Sequence, residues 1–423
     1  MATDERSGLR TTPAPGASGP HLTDADLGTD AVALTAELVR IDSVNPGLVP
    51  GAAGEATTVT RLRERLQHSG FETHVITQPG TSDRPSLVAI GPGDPTGTNA
   101  ARPTIVLTGH LDTVGVEGMD APFAASVDGD RLTGRGASDM KAGVAAMVVA
   151  AEELVRRGSP ARVVLALVAD EEDASLGTEA VLDALPELGI LPDAAVVGEP
   201  TWLALAETLR GYALVEVTLT GRPAHSSQPE LGVNAVTHLG RLLVAVEERG
   251  RLLADSGGSL MATVASGGQS PFVLARTARA VIERRTVPGE RSAGTLDEVE
   301  ALLDDLRAAD PTVDAAARLV IAREAWRLDT AGPAAALAGQ LEAALAEDPL
   351  AEDPLAQDAP VARFHAPYWM EAPLWQAAGI PAVVCGPAGG GLHAADEWVS
   401  VRQVRRYAVA LVTAVTTWAD HAD

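Results

Sequence analysis

The stretch TIVLTGHLDTV, residues 104–114, decides how the rest of the chain is read. An almost unbroken run of apolar and β-branched residues stops at a histidine, His110, and an aspartate, Asp112. Such a run reads as a strand buried on both faces. The same texture returns in HVITQ, SLVAIG, RVVLALVADEED and DAAVVGEP, with helical periods among them, most plainly in DAVALTAELVRIDSV and MKAGVAAMVVAAEELVRRG. Apolar strands separated by amphipathic helices predict an α/β fold with a mainly parallel sheet flanked by helices. In such sheets ligands collect where strands end. The conspicuous polar residues of this chain stand at predicted strand ends.

Composition narrows the field. A chain of 423 residues, 46% apolar, has material for two or three cores, and two domains are expected. Its 32 basic and 57 acidic residues give a net charge of -25, which repels phosphate backbones and anionic headgroups. Nucleic acid and membrane surfaces are therefore excluded as expected partners. No apolar run approaches the roughly 18–20 residues that span a bilayer. MATDERSGLRTTPAPGASGP lacks the apolar centre of a signal peptide, so a cytoplasmic location is expected. The single cysteine, Cys385, rules out an intrachain disulfide or a thiolate metal cluster. Any metal must be held by His, Asp or Glu.

Residues 1–24, rich in Pro, Gly, Ser and Thr, are expected to form a mobile tail. The first domain is expected over 25–208 and again over 323–423. Between them, residues 209–322 have a different texture. GYALVEVTLTG, NAVTHLGRLLVAVEERG, LMATVASGG, RTARAVIERRTV, LDEVEALLDDLRAAD and AARLVIAREAW give the order β, α, β, β, α, β, a split sandwich inserted into the first domain. The tandem AEDPLAEDPL, 346–355, reads as a solvated loop. The closing segment GIPAVVCGPAGGGLHAADEWVSVRQVRRYAVALVTAVTTWA reads as a strand, a glycine-rich loop and a helix.

Five strand-end features carry chemistry: His110 and Asp112 in TGHLDTV, Asp139 in ASDMKAG, Glu171 and Glu172 in ADEED, Glu199 in GEPT, and His393 in GGGLHAADEW. Singly each has an ordinary reading, as a packed histidine, a solvated acidic turn or a charge at a helix start. Together they are a set of oxygen and imidazole donors without a basic residue close behind, and a divalent cation would relieve their repulsion. These donor types suit zinc, with cobalt or manganese as alternatives. A carboxylate shared by two ions would let them hold and acidify a water. A further carboxylate, not a ligand, would then carry the proton to a leaving amine. Glu171 and Glu172 are placed to divide these tasks.

These motifs resemble those of the dinuclear zinc amidohydrolases that include acetylornithine deacetylase, succinyl-diaminopimelate desuccinylase, aminoacylase and glutamate carboxypeptidase. The resemblance runs from about residue 30 to 420. It implies a zinc exopeptidase-like catalytic domain carrying a ferredoxin-like βαββαβ insert through which two chains pair as a homodimer. It implies two metals, one on His110, Glu199 and the bridging Asp139, the other on Asp139, Glu172 and His393, with Glu171 as general base. Asp112 resembles the carboxylate that orients the ligand imidazole, beside the plainer reading of a turn-capping aspartate. The family also has a strained peptide just after Asp139. The stretch GRGASDMKAG, 134–143, contains the chain's only lysine, Lys141, read either as a charge balancing the anionic shell or as a helix-start residue.

Other residues are assigned to substrate by the same resemblance. His225, in GRPAHSSQPELGVNAV, resembles a histidine that reaches the partner subunit's site and bonds the developing oxyanion. Arg285, in ERRTVPGE, matches an arginine that clamps a substrate carboxylate, a task suited to its planar fork; a surface-strand arginine is the alternative. The loop GPAGGG, 386–391, with Gly390, brings backbone N–H groups near a substrate end or serves only as the approach to His393. Phe272, in GGQSPFVLAR, departs from the family's asparagine, and Glu199 stands where relatives have Asp or Glu. Glu371 in MEAPLWQAAGIP resembles an acetylornithine deacetylase segment.

The expected function is metal-dependent hydrolysis of an N-acyl amino acid. A dipeptidase or carboxypeptidase of the same chemistry is the enzymatic alternative. A metal-poor, non-catalytic binding protein is the alternative from another class.

Overall fold

A computed structural model describes residues 21–77, 84–92, 102–347 and 361–421. Most of the expected tail and the duplicated AEDPL segment beyond Glu347 lie outside these residues. Residue contacts divide the chain into two compact units. The first takes the described residues within Met1–Pro200, Gly339–Ala359 and Pro387–Asp423, and the second those within Thr201–Ala338 and Pro360–Gly386. The expected insert, 209–322, falls within the second unit, which is larger because it includes a short sheet that the sequence pattern does not announce.

The chain enters the first unit through α1 (Asp24–Val39), one residue inside the expected tail, because the Thr23 hydroxyl accepts the Asp26 N–H at 3.2 Å and caps the helix. Then follow α2 (Ala56–His68), β1 (Glu72–Thr77), β2 (Pro85–Ile90), β3 (Thr104–His110), β4 (Ser126–Asp128), β5 (Arg131–Thr133), α3 (Ala142–Arg156), β6 (Arg162–Val168), α4 (Leu176–Ala184) and β7 (Ala194–Val197). Within the first unit the main sheet runs β1-β2-β6-β3-β7. β2 is antiparallel to both neighbours, whereas β3 pairs in parallel with β6 and β7, so β1, β6, β3 and β7 share one direction. β2, β3 and β7 are buried at every residue, which accounts for their near-continuous apolar text. α3 covers β3 and β6, while α2 and α4 lie against β1 and β2.

In the second unit come β8 (Leu205–Leu209), β9 (Gly211–Thr220), α5 (Ala235–Leu253), β10 (Ser259–Gly267), β11 (Thr277–Thr286), α6 (Thr295–Ala309), β12 (Asp314–Arg323) and β13 (Trp326–Arg327). From β9 to β12 the order is the expected β, α, β, β, α, β, in an antiparallel sheet β10-β11-β9-β12. Val215, Val217 and Leu219 alternate inward from β9 and meet Leu239, Leu242 and Val246 of α5 with Val299 and Leu303 of α6. The periods of 2 and 3.6 thus bury one sheet face under two helices. After α7 (Gly332–Glu347), β14 (Arg363–Ala366) pairs with β8, making the sheet β13-β8-β14; α8 (Ala372–Ala377) and β15 (Ala382–Val384) follow.

The chain then returns to the first unit through β16 (Gly389–Gly390), β17 (Trp398–Ser400) and α9 (Val401–Asp420). β16 and β17 join β5 and β4 in a small sheet in place of the expected plain loop, and α9 packs with α1 and α3. Among the described residues no helix is long and apolar enough to cross a membrane.

Candidate metal centre

Adjacent parallel strands β6, β3 and β7 end on one edge, and each end carries a donor. β3 stops at His110, fully buried; β6 is followed by Glu171 and Glu172, and β7 by Glu199, also buried. A π-type turn, Ala137–Lys141, leads into α3 and presents Asp139, whose backbone (φ -118°, ψ 96°) is not helical. The Asp139–Met140 peptide is cis. Small residues let this turn close in. A Cβ on Gly143 would stand 2.0 Å from the Gly198 carbonyl oxygen, and one on Gly109 would stand 2.4 Å from Met140 Cε. His393 comes from the exposed loop between β16 and β17, in the left-handed region at φ 60°.

Asp139 lies between two imidazoles. Its Oδ1 is 3.0 Å from His110 Nε2 and its Oδ2 is 3.2 Å from His393 Nε2. Glu172 Oε2 is also 3.2 Å from His393 Nε2, and Glu171 Oε2 is 4.0 Å from His110 Nε2. Donor atoms of His110, Asp139 and Glu172 lie within 4.8 Å of one another, as do those of His110, Glu171 and Glu199. The five predicted ligands and the predicted base, Glu171, therefore fall in one cluster of the first unit.

The electrostatics follow from this crowding. Burial pushes the His110 imidazole down, yet the facing Asp112 and Asp139, with Glu199 and Glu171 beyond, hold it well above the usual histidine value. Asp139 and then Glu172 raise His393 to about 10. Burial would raise Asp139, but His110 and His393 hold it far below the carboxylate range. Burial and the Asp139 charge together raise Glu172. Carboxylates crowded around the two imidazoles favour their protonated form, and a cation bound there would displace those protons. Glu172 Oε1 is buried with no hydrogen-bond partner among the described residues. That oxygen and the mixed imidazole and carboxylate set fit divalent cations.

Asp112 acts over a wider range than the sequence suggests. His110 Nδ1 meets the Asp112 backbone carbonyl at 3.0 Å and the carboxylate Oδ1 only at 3.6 Å. A donated Nδ1–H leaves Nε2 as the ligand atom. The carboxylate instead accepts the Glu171 N–H at 3.1 Å, the Glu172 N–H at 3.2 Å and Asn45 Nδ2 at 2.7 Å. Asn45 also reaches Asp170 Oδ1 at 3.2 Å, where Arg84 pairs with Asp170 and Glu55. Asn45 was not foreseen; its only sequence signal is SVNPG, which reads as a turn.

The second unit holds the other predicted residues. His225 is exposed, with Nδ1 2.8 Å from Ser227 Oγ, and forms a backbone bridge with Val273. Phe272, 66% exposed, accepts the Ser226 N–H through its carbonyl at 2.9 Å. Arg285 is half-buried on β11, with Nε on Glu283 and its guanidinium carbon 5.3 Å from the Tyr212 ring centre. Glu371 is buried at the start of α8. In the first unit, Gly390 lies in β16 opposite Trp398, whose indole nitrogen would be 2.8 Å from a Cβ there.

A two-imidazole, multi-carboxylate centre at the strand ends of an α/β sheet defines a dinuclear metallohydrolase. Residues 106–417 match the model of peptidase family M20/M25/M40, and the chain belongs to that family. It is a metal-dependent amide hydrolase. Over 247 residues it is 37% identical to a succinyl-diaminopimelate desuccinylase of Gluconobacter oxydans, covering 56% of this chain and 60% of that one. It is 29% identical to an acetylornithine deacetylase of Myxococcus xanthus over 365 residues, 83% of this chain and 89% of the other. The crystal structure of aminopeptidase PepT from Bacillus cereus shares the fold, with a TM-score of 0.72, 18% identity and coverage of 93% and 99%.

Proposed function

We propose that the chain hydrolyses the amide of an N-acyl amino acid, releasing a carboxylic acid and a free amino acid. The observation that carries this reading is Asp139, which offers one oxygen toward each of two imidazoles, with Glu171 within 4.0 Å of one of them. In this reading His110, Glu199 and Asp139 hold one divalent cation, and Asp139, Glu172 and His393 hold the other. Zinc suits the set, with cobalt or manganese as alternatives. When bound there, two cations polarise the scissile carbonyl and bring the pKa of a water toward neutrality.

The chain's own residues supply the rest. Glu171 takes a proton from the water whose oxygen adds to the carbonyl carbon, and returns it to the amine nitrogen as the C–N bond breaks. Asp112 fixes the backbone from which Glu171 projects. His225 stabilises the oxyanion from a partner subunit, in a homodimer paired through the βαββαβ domain. Arg285 takes the substrate carboxylate, in exchange for its bond to Glu283, and Gly390 offers a backbone N–H. The expected location is the cytoplasm. The names of the relatives, a desuccinylase and a deacetylase, support an acyl amino acid as substrate. A dipeptide substrate is the alternative, as the printed name of the PepT structure is that of an aminopeptidase.

The deciding experiment is release of free amine from N-acetyl, N-formyl and N-succinyl amino acids and simple dipeptides, with zinc- or cobalt-loaded protein and a chelated control. Metal-dependent release from acyl amino acids upholds the reading, and release from dipeptides alone replaces it with a peptidase. No release from protein shown to hold its metals would overturn the substrate assignment rather than the chemistry.

A further inference from the structure

Glu397 lies four residues beyond His393 and is 1% exposed, yet it is not placed as a ligand. Its Oε2 accepts Arg135 Nη1 at 2.6 Å and the Gly136 N–H at 2.9 Å. Its Oε1 accepts the Ser138 N–H at 2.9 Å and the Asp139 N–H at 3.0 Å. Four donors on two oxygens use the acceptor capacity of a carboxylate, which leaves nothing for a cation. Arg135, also buried, uses the rest of its fork elsewhere. Nε donates to the Gly115 carbonyl at 2.9 Å, and Nη2 to the Ala394 carbonyl at 3.1 Å.

This ion pair therefore touches three separate stretches: Gly115, five residues beyond His110, the 136–139 turn that carries Asp139, and Ala394 beside His393. Three backbone N–H groups converge in that turn, an arrangement that attracts an anion, and the anion here is the chain's own carboxylate. Sequence reading missed both residues, although GRGASD and HAADEW place each within four positions of a predicted ligand.

We infer that Arg135 and Glu397 are positioning residues that assemble the Asp139 turn before any metal arrives and set where the His393 loop meets it. The inference rests on the reading in which two cations share Asp139. It predicts an asymmetry. His110 ends a fully buried strand and Glu199 follows another, so these donors keep their places without the pair. His393 is on an exposed loop in the left-handed region, and its neighbour's carbonyl is held by Arg135. Asp139 serves both cations, so loosening the pair should weaken both, and should weaken the one on Asp139, Glu172 and His393 more than the one that also uses His110 and Glu199.

The test is a cobalt titration of chelated protein, followed by visible absorption and metal content, for the wild type, Glu397→Gln and Arg135→Lys. The glutamine amide must oppose either Arg135 and Gly136 or Ser138 and Asp139. Lysine keeps the charge but cannot span three acceptors. The expected result is two cobalt ions on the wild type, with the second weakened about 10- to 100-fold in both variants and the first weakened by a smaller factor. Equal weakening of both ions, or of neither, overturns the inference. A wild type that binds one cobalt overturns the two-cation reading instead. The clamp is then decided by amide exchange in the chelated wild type, which also serves if the variants do not fold. Protection of Gly136, Ser138 and Asp139 comparable to that of α3 upholds the clamp, and open-loop exchange overturns it.

Discussion

Asp112 holds Glu171 by its backbone, accepting the Glu171 N–H on Oδ1 at 3.1 Å. The partner oxygen takes the Glu172 N–H at 3.2 Å, so one buried carboxylate sets the turn that carries both acidic residues. His110 is oriented by the same residue, chiefly through its main-chain carbonyl at 3.0 Å. Asp112 thereby links the end of β3 to the end of β6, and its effect on the site passes largely through Glu171 and Glu172.

Replacing Asp112 by Asn should therefore disturb the acidic turn more than the imidazole. The amide nitrogen must face at least one of three donors, from Asn45, Glu171 and Glu172. A loss of about 10- to 100-fold in activity or metal affinity is expected, typical of residues that orient ligands. Steady-state kinetics beside a cobalt titration measures it. Unchanged kinetics would mean that the turn keeps its shape without the carboxylate.

Glu171→Gln separates the base from the ligands. A general base contributes about 10²- to 10⁴-fold, and kcat should fall by that order while the chain still takes up two cations. Donor atoms of Glu171 and Glu199 share one cluster with His110, so metal content is the decisive companion measurement. Loss of one cation together with activity would make Glu171 a ligand.

The sheet and its donors are legible in sequence because each follows a periodic signal. β3, β6 and β7 are buried on both faces and read as apolar runs, and His110, Glu171, Glu172 and Glu199 come where those runs stop. The βαββαβ order is equally plain, since β9 alternates and α5 shows a helical stripe. Glu397 and Asn45 are not legible. Glu397 bonds backbone groups some 260 positions earlier, and Asn45 bonds carboxylates 67 and 125 positions away. Contacts of that kind depend on tertiary closure and leave no local period. The sheet β13-β8-β14 is missed for a related reason, since its strands have 2, 5 and 4 residues and come from distant parts of the chain.

Protonation of the centre should be visible as proton release. Asp139 and Glu172 raise His393 from the ordinary 6.5 to about 10, so its contribution to stability is present below 6.5 and is lost as pH rises through 10. Between these values the metal-free fold keeps a proton that a cation must displace. Cobalt affinity should accordingly increase with pH across this window, and adding cobalt to chelated protein in weak buffer near neutrality should acidify the solution. An affinity flat across the window, with no acid released, would mean that the imidazoles are neutral before metal binds.

Lys141, the single lysine among 32 basic residues, has a structural reason to be lysine. It is fully buried, and among the described residues its Nζ donates to one acceptor, the Ile41 carbonyl, at 2.7 Å. Burial pushes the amine down to about 7, against the pull of Glu397, Asp42 and Asp112, so it can sit there uncharged. A guanidinium stays charged and brings five donors to the same pocket. Lys141→Arg should therefore lower the stability of chelated protein by at least about 2 kcal/mol, the order of one or two unsatisfied buried donors. The folded pKa lies below the ordinary 10.5, so the lysine's burial penalty is largest below about 7 and disappears as pH rises to 10.5. The gap between wild type and Lys141→Arg in urea denaturation should accordingly widen from pH 7 upward. A gap that is constant with pH would mean that the wild-type amine stays charged in its pocket, and equal stabilities would mean that the pocket accepts any basic residue.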